Sequence, residues 1–153
     1  MTQTVDVELE PLGEIEIRFA DTHMYSTPVG MRLHCIVDHG RFEGPDLRAD
    51  VVDGSDWVTV GADGVGRLDV RATLRTDDGA HVGLTNTGRV RMDAEAVDRF
   101  RKGELVHAAE MYARSSPLFE TGDERYGWLN ALHTVAVNEL SLSEVRYRIW
   151  AVR

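Results

Sequence analysis

From Arg67 to Arg75 the chain reads Arg-Leu-Asp-Val-Arg-Ala-Thr-Leu-Arg, alternating polar and apolar side chains without a break, and then runs into Thr76-Asp77-Asp78-Gly79. Unbroken alternation is the period of a β-strand, and Asp-Gly behind it is a strong short-range hairpin signal. Gly79 supplies the positive φ that a tight turn needs. With Asp78-Gly79 as a two-residue turn, Ala80 to Asn86 is the return strand. Arg75 then faces Val82, Thr73 faces Leu84 and Arg71 faces Asn86. That register puts Asp69, Arg71, Thr73 and Arg75 on one face with Val82 and Leu84. The other face carries Ala72 and Leu74 with His81, Gly83 and Thr85, so neither is cleanly apolar. Two readings stay open: the arginine face looks at solvent, or it lines an amphipathic cavity inside a barrel.

The rest of the chain repeats the pattern in shorter pieces. Val5 to Leu9 and Glu14 to Phe19 alternate, and Asp21 to Gly30, with Pro28 and Gly30, reads as a loop. Met31 to Val37 and Leu47 to Val52 read as strands, Asp53-Gly54 as a second hairpin-type turn, and Trp57 to Val60 as a further strand. Asp93 to Gly103 is the best helix: Asp93 suits the N-cap, Val97 and Phe100 share a face, basic residues fill the last turn, and Gly103 terminates it. A short helical turn between Glu104 and Ala113 follows. Leu132 to Asn138 and Val145 to Val152 complete the strands. About nine or ten short strands and one main helix define an all-β domain, a barrel or sandwich, spanning residues 1–153 as one unit. Glu14 and Glu16 share a face near the start, and Arg146 and Arg148 share one near the end. Pairing those strands matches opposite charges and removes two sheet edges.

Composition excludes several function classes. With 26 acidic against 17 basic residues the net charge is −9, which disfavours nucleic acid as a partner. No run of 18 or more apolar residues exists to span a membrane, and the start lacks a basic, then apolar, leader, so the cytoplasm is the expected location. The single cysteine, Cys35, excludes an internal disulfide and a multi-cysteine zinc site, and its apolar neighbours mark a buried thiol. The histidines lack metal-ligand spacing, so neither a metal nor a cofactor is expected.

Three stretches occur together: Phe42-Glu43-Gly44-Pro45 followed by Asp56-Trp57; Leu68-Asp69-Val70-Arg71 through Leu74 to Gly79; and Phe119-Glu120-Thr121-Gly122-Asp123 followed by Tyr126 and Trp128-Leu129-Asn130. In order and spacing they resemble the DUF3237 (UPF0311) family, over roughly Leu9 to Val152. The resemblance implies a lipocalin-like antiparallel β-barrel, association as a homo-oligomer, and a setting among small-molecule and secondary-metabolite pathways, without a defining reaction. This chain departs from the usual pattern at Asp38-His39-Gly40-Arg41, where a Gly-Gly pair is common, and at Asn138 to Ser143, which lacks a Gly-rich hairpin.

Glu43, Asp69, Arg71, Glu120, Trp57, Tyr126, Trp128 and Asn130 are therefore the candidates for one cavity. A carboxylate desolvated by aromatic rings becomes an acid or base usable near neutral pH. An arginine can hold a carboxylate or enolate through two parallel bonds, and a tyrosine can donate to an oxyanion. On this reading Glu43 or Glu120 moves a proton, Arg71 and Tyr126 hold the oxyanion, Trp57 and Trp128 form apolar walls, and Asp69 and Asn130 contact the substrate. The structural alternatives are an Asp69–Arg71 ion pair fixing register, Glu120 as a turn cap, and tryptophans as core filler. The expected function is a small-molecule barrel acting without a cofactor as an isomerase, lyase or cyclase on a hydrophobic carbonyl or phenolic metabolite. The alternatives are a carrier or sensor barrel and a packed barrel with an oligomeric role.

Overall fold

A computed structural model describes residues 3–153. Eight strands close into one antiparallel barrel in sequence order: β1 (Leu9–Thr27), β2 (Gly30–Glu43), β3 (Arg48–Val60), β4 (Gly66–Thr76), β5 (His81–Arg91), β6 (Tyr112–Glu120), β7 (Thr134–Leu140) and β8 (Glu144–Val152). A helix, α1 (Ala94–Arg101), connects β5 to β6, and 3₁₀ turns occupy Ala108–Glu110 and Glu124–Ala131. The closure follows the charge pattern: β1 pairs with β8, Glu14 lies opposite Arg148, and Glu16 lies opposite Arg146 at 3.6 Å. Pairing β1 with β8 covers the edges of the first and last strands, while β6 and β7 meet at only two positions, Arg114 opposite Val137 and Ser115 opposite Ala136.

Strands are fewer and longer than the punctuation suggests, because two turn-like segments are bulges. Residues 21–27 continue β1 past register shifts around Phe19 and Asp21 instead of forming a loop. At Asp53-Gly54 the chain does not reverse; β3 runs through, with a register shift between Val51 and Asp53. Gly54 has φ 154°, and a Cβ there would lie 2.7 Å from the Arg71 carbonyl oxygen. The glycine thus permits the close approach that lets a long strand bend around the barrel.

The Asp-Gly hairpin forms with a loop one residue longer than a two-residue turn. The Thr76 N–H donates to the Ala80 carbonyl (2.8 Å) and the Gly79 N–H to the Thr76 carbonyl (3.0 Å), with Gly79 at φ 93°. This is a three-residue loop of Asp77, Asp78 and Gly79, with glycine in the left-handed position. Arg75 therefore pairs with His81 and Leu74 with Val82. The one-residue slip cleans both faces. Leu68, Val70, Ala72, Leu74, Val82 and Leu84 point inward, and Asp69, Arg71 and Arg75 are exposed on the outer wall.

The two ends of the barrel differ. The end nearer the β4–β5 hairpin is filled by Phe42, Leu47, Leu74, Leu129, Ile149 and their neighbours, with the Phe42 and Phe119 rings edge to face at 6.1 Å. The segment Glu124–Ala131 plugs this end by burying Leu129. At the opposite end a smaller cluster of Leu68, Val90 and Ala113 sits on the side of α1. Among the described residues, no helix is long and apolar enough to cross a membrane.

Candidate functional site

Between the smaller cluster and α1 lies a cavity of about 260 Å³. A dry cavity of roughly 150 Å³ accepts benzene, so this volume suits a molecule of one or two rings. Its walls are largely aliphatic and thioether: Leu33, Val58, Leu68 and Val90, with Met24, Met31 and Met92 around them. Methionines adapt to irregular ligand shapes at little cost. Val97, Phe100 and Arg101 of α1 complete the rim. The helix forms there because the Asp93 carboxylate accepts from the Ala96 N–H (2.8 Å) and Gly103, at φ 84°, ends it. Arg99 ties its C-terminal end down by pairing with Glu104 (2.9 Å) and Glu110.

One carboxyl faces this apolar space. Asp56 of β3 lies opposite Cys35 and Val70 and is 6 % exposed. Burial pushes its pKa from 3.8 up to about 7. A hydrogen bond from the Asp69 N–H (3.1 Å) restrains the rise, and the nearby Asp69 charge adds to it. The second carboxyl oxygen has no hydrogen-bond partner among the described residues. Such a group is divided between acid and base forms near neutral pH, the condition for efficient proton transfer. Cys35 also lines the cavity; burial, and then the proximity of Asp56, push its pKa to about 11, which keeps it a thiol rather than a nucleophilic thiolate.

Polarity continues from Asp56 into the middle of the barrel. Asn86 lies opposite Val70, the residue that also faces Asp56, and is 1 % exposed. Its amide lies beside the Tyr147 hydroxyl, and the amide nitrogen of Asn138 is buried without a hydrogen-bond partner among the described residues. Ser115 donates to the Asn138 oxygen at 3.1 Å. The Tyr147 hydroxyl is held un-ionised by burial and by the proximity of Asp56. An unpaired buried amide group costs roughly 1–3 kcal/mol, so the Asn138 nitrogen is a local cost of placing polarity beneath the cavity.

The eight residues expected to share one cavity are not brought together; all lie on the outside of the barrel or at its plugged end. Glu43 is exposed and bonded to Arg41 (2.8 Å), which also forks onto Asp77 (2.6 and 2.9 Å). Arg71 and Asp69 point outward and form no ion pair with each other, and Glu120 is exposed at the end of β6. Tyr126 donates to Asp78 at 2.8 Å beside the hairpin, and Asn130 exchanges two 2.8 Å bonds with the Thr121 backbone. Trp128 is exposed, and Trp57 stacks outside on His34 with ring centroids 3.6 Å apart. The Phe42–Pro45 and Phe119–Asp123 motifs thus build the plug and its salt-bridged rim. Asp56, next to Trp57, is the cavity-facing carboxyl that was not among the sequence candidates. Its signal was present: Asp56, Val58 and Val60 share one face by strand alternation, so a carboxylate stands in an apolar row.

Fold and site together define a closed eight-stranded antiparallel barrel of the lipocalin-like kind with an interior cavity at one end. The chain belongs to the DUF3237 family, described as a protein of unknown function, whose sequence model matches residues 7–152. A UPF0311 protein of Bradyrhizobium diazoefficiens is 30% identical over 130 residues, covering 84% of each chain. The crystal structure of a conserved protein of unknown function from Rhodopseudomonas palustris has a TM-score of 0.91 at 25% identity, covering 98% of this chain and 100% of that one. An enzyme from Penicillium herquei shares the fold at 20% identity and a TM-score of 0.73, covering 100% of this chain and 99% of its own.

Proposed function

We propose that the cavity under α1 binds a small, mainly apolar carbonyl or phenolic molecule and that Asp56 exchanges a proton with it, without a cofactor. The observation that carries this reading is a carboxyl with a pKa of about 7 facing an apolar cavity of about 260 Å³. Apolar walls supply affinity and exclude water, and the single carboxyl provides orientation and acid–base capacity. In its ionised form Asp56 removes a proton from a carbon next to the carbonyl, or from a phenolic oxygen. In its protonated form it returns one to another position, so an isomerisation, elimination or ring closure needs no other titrating side chain. The fold alone does not dictate this chemistry, although a neighbour of the same fold is described as an enzyme.

The test is exchange with solvent. Small cyclic and aryl ketones are incubated with the protein in D₂O, and deuterium at the α-carbon is followed by NMR. The proposal expects protein-dependent exchange that Asp56→Asn removes and Cys35→Ser retains. Measurable affinity with no exchange by the wild type would assign the barrel to carriage instead.

A further inference from the structure

A groove of about 650 Å³ lies outside the barrel, on the wall of β5 to β8. Val135 and Val137 of β7 face out into it, with Trp150 of β8 beside them. Their neighbour Ala136 faces in and is fully buried, between the inward-facing Thr134 and Asn138. Outward valines beside a tryptophan form an apolar patch of the kind that marks an interaction surface. The opposite margin is cationic. Arg89 and Arg114 are direct cross-strand partners, and Arg91 and Arg114 flank the Tyr112 ring at 4.5 and 5.1 Å. Like charges facing each other across strands are destabilising, and no carboxylate among the described residues lies within 4 Å of Arg89, Arg91 or Arg114. In a chain of net charge −9, this margin is a place for acidic groups from elsewhere.

The chain itself carries a segment with the matching chemistry. Val5, Val7 and Leu9 are 83, 69 and 55 % exposed, and Asp6 and Glu8 alternate with them. Asp6 and Glu8 have no ion-pair partner among the described residues. Glu8 continues the β1–β8 ladder by exchanging backbone bonds with Arg153 (3.2 and 2.9 Å), and Leu9 stands on the groove margin. One edge of this wall is therefore apolar and acidic, and the other is cationic. A two-fold axis through such a patch superposes each edge on its complement.

We propose that this wall is a two-fold contact between copies of the chain, in which the segment Val5–Glu8 of one copy lies along the groove of the other. Its valines rest on Val135, Val137 and Trp150, and its acids meet Arg89 and Arg114. The contact covers the outer face of β7 and neutralises the arginine pair. It is independent of the cavity and of Asp56.

Sedimentation equilibrium tests it with the whole chain, circular dichroism confirming that each variant is folded. The wild type should have twice the 17.1 kDa chain mass. Reversing charge on one side, with Arg89→Glu and Arg114→Glu or with Asp6→Arg and Glu8→Arg, should weaken association at least about tenfold. Combining the two sets should restore it, since the attraction is then re-formed with signs exchanged. A monomeric wild type, a dimer indifferent to either set, or a combined variant that stays dissociated would overturn the proposal. So would a monomer that retains a small amphiphilic anion in its native mass spectrum.

Discussion

Replacing Asp56 with asparagine removes one proton-binding group and leaves the side chain nearly the same shape, with an oxygen still able to accept from the Asp69 N–H. In the wild type that group has a pKa of about 7 when folded against 3.8 when free. Between those values the folded state holds the proton more tightly than the unfolded chain. The stabilising contribution of the protonated carboxyl is thus fully present below about pH 4, declines as pH rises, and is lost above about pH 7. The slope approaches 1.4 kcal/mol per pH unit, and the integrated penalty is about 4 kcal/mol. The asparagine side chain of the variant does not ionise. Urea unfolding of both proteins at about pH 4 and about pH 8.5 isolates the effect, because burial, the larger cause, keeps Cys35 and Tyr147 protonated across this range in both folded proteins. The gain of Asp56→Asn over wild type should be about 4 kcal/mol larger at the higher pH. Parallel stability profiles would show that Asp56 titrates normally and would remove the basis for its role as an acid or base.

The cavity and its cap make further predictions. Val58→Phe projects a ring into the cavity, so it should abolish binding of small ketones, read by calorimetry, while circular dichroism shows the barrel retained. Asp93→Ala removes the N-cap of α1; helix amides should exchange faster with deuterium, and the loss of stability should be about 1 kcal/mol. Phe42→Ala at the plugged end should cost about 3–5 kcal/mol in urea unfolding, because its fully buried ring contacts the Phe119 edge. Glu43→Gln, Arg71→Ala and Glu120→Gln, all on the outer surface, should leave solvent exchange into bound ketones unchanged.

Barrel closure was legible because charge pairing across neighbouring strands is a local rule with only one good match, Glu14 and Glu16 against Arg148 and Arg146. The helix was legible for the same reason: Asp93, Val97, Phe100 and Gly103 fix its ends and its apolar face without reference to the rest of the chain. The hairpin shows where local rules fail. Asp78-Gly79 satisfies both a two-residue turn and the last two positions of a three-residue loop, and only the packing of Leu74 against Val82 inside the barrel decides between them. Because side chains alternate, that single residue exchanged inside for outside and made an arginine face look like a cavity wall. Asp53-Gly54 has the composition of a turn but acts as a bulge, since a strand that curves around a barrel needs the same backbone freedom as one that reverses.

The eight candidates fall outside the cavity through the same kind of ambiguity. Trp57 drew attention as an aromatic wall, whereas its neighbour Asp56 points inward. The Phe-Glu-Gly-Pro and Phe-Glu-Thr-Gly-Asp motifs carried the family resemblance, yet they serve the plug, the Tyr126–Asp78 bond and the Arg41 cluster. Motifs with glycines and charges at fixed spacing specify turns and their ion pairs, so they are conspicuous in a sequence. A cavity lined by Leu, Val and Met has no such signature. It becomes visible only when the strands are in register and α1 lies across the end.

The most direct measurement is the titration of the Asp56 carboxyl carbon by NMR in the folded protein, with Asp56→Asn to assign the signal. A midpoint near pH 7, shifted when a small ketone binds in the cavity, is the result this account predicts. A midpoint near 3.8, or one indifferent to every molecule that binds, would contradict it.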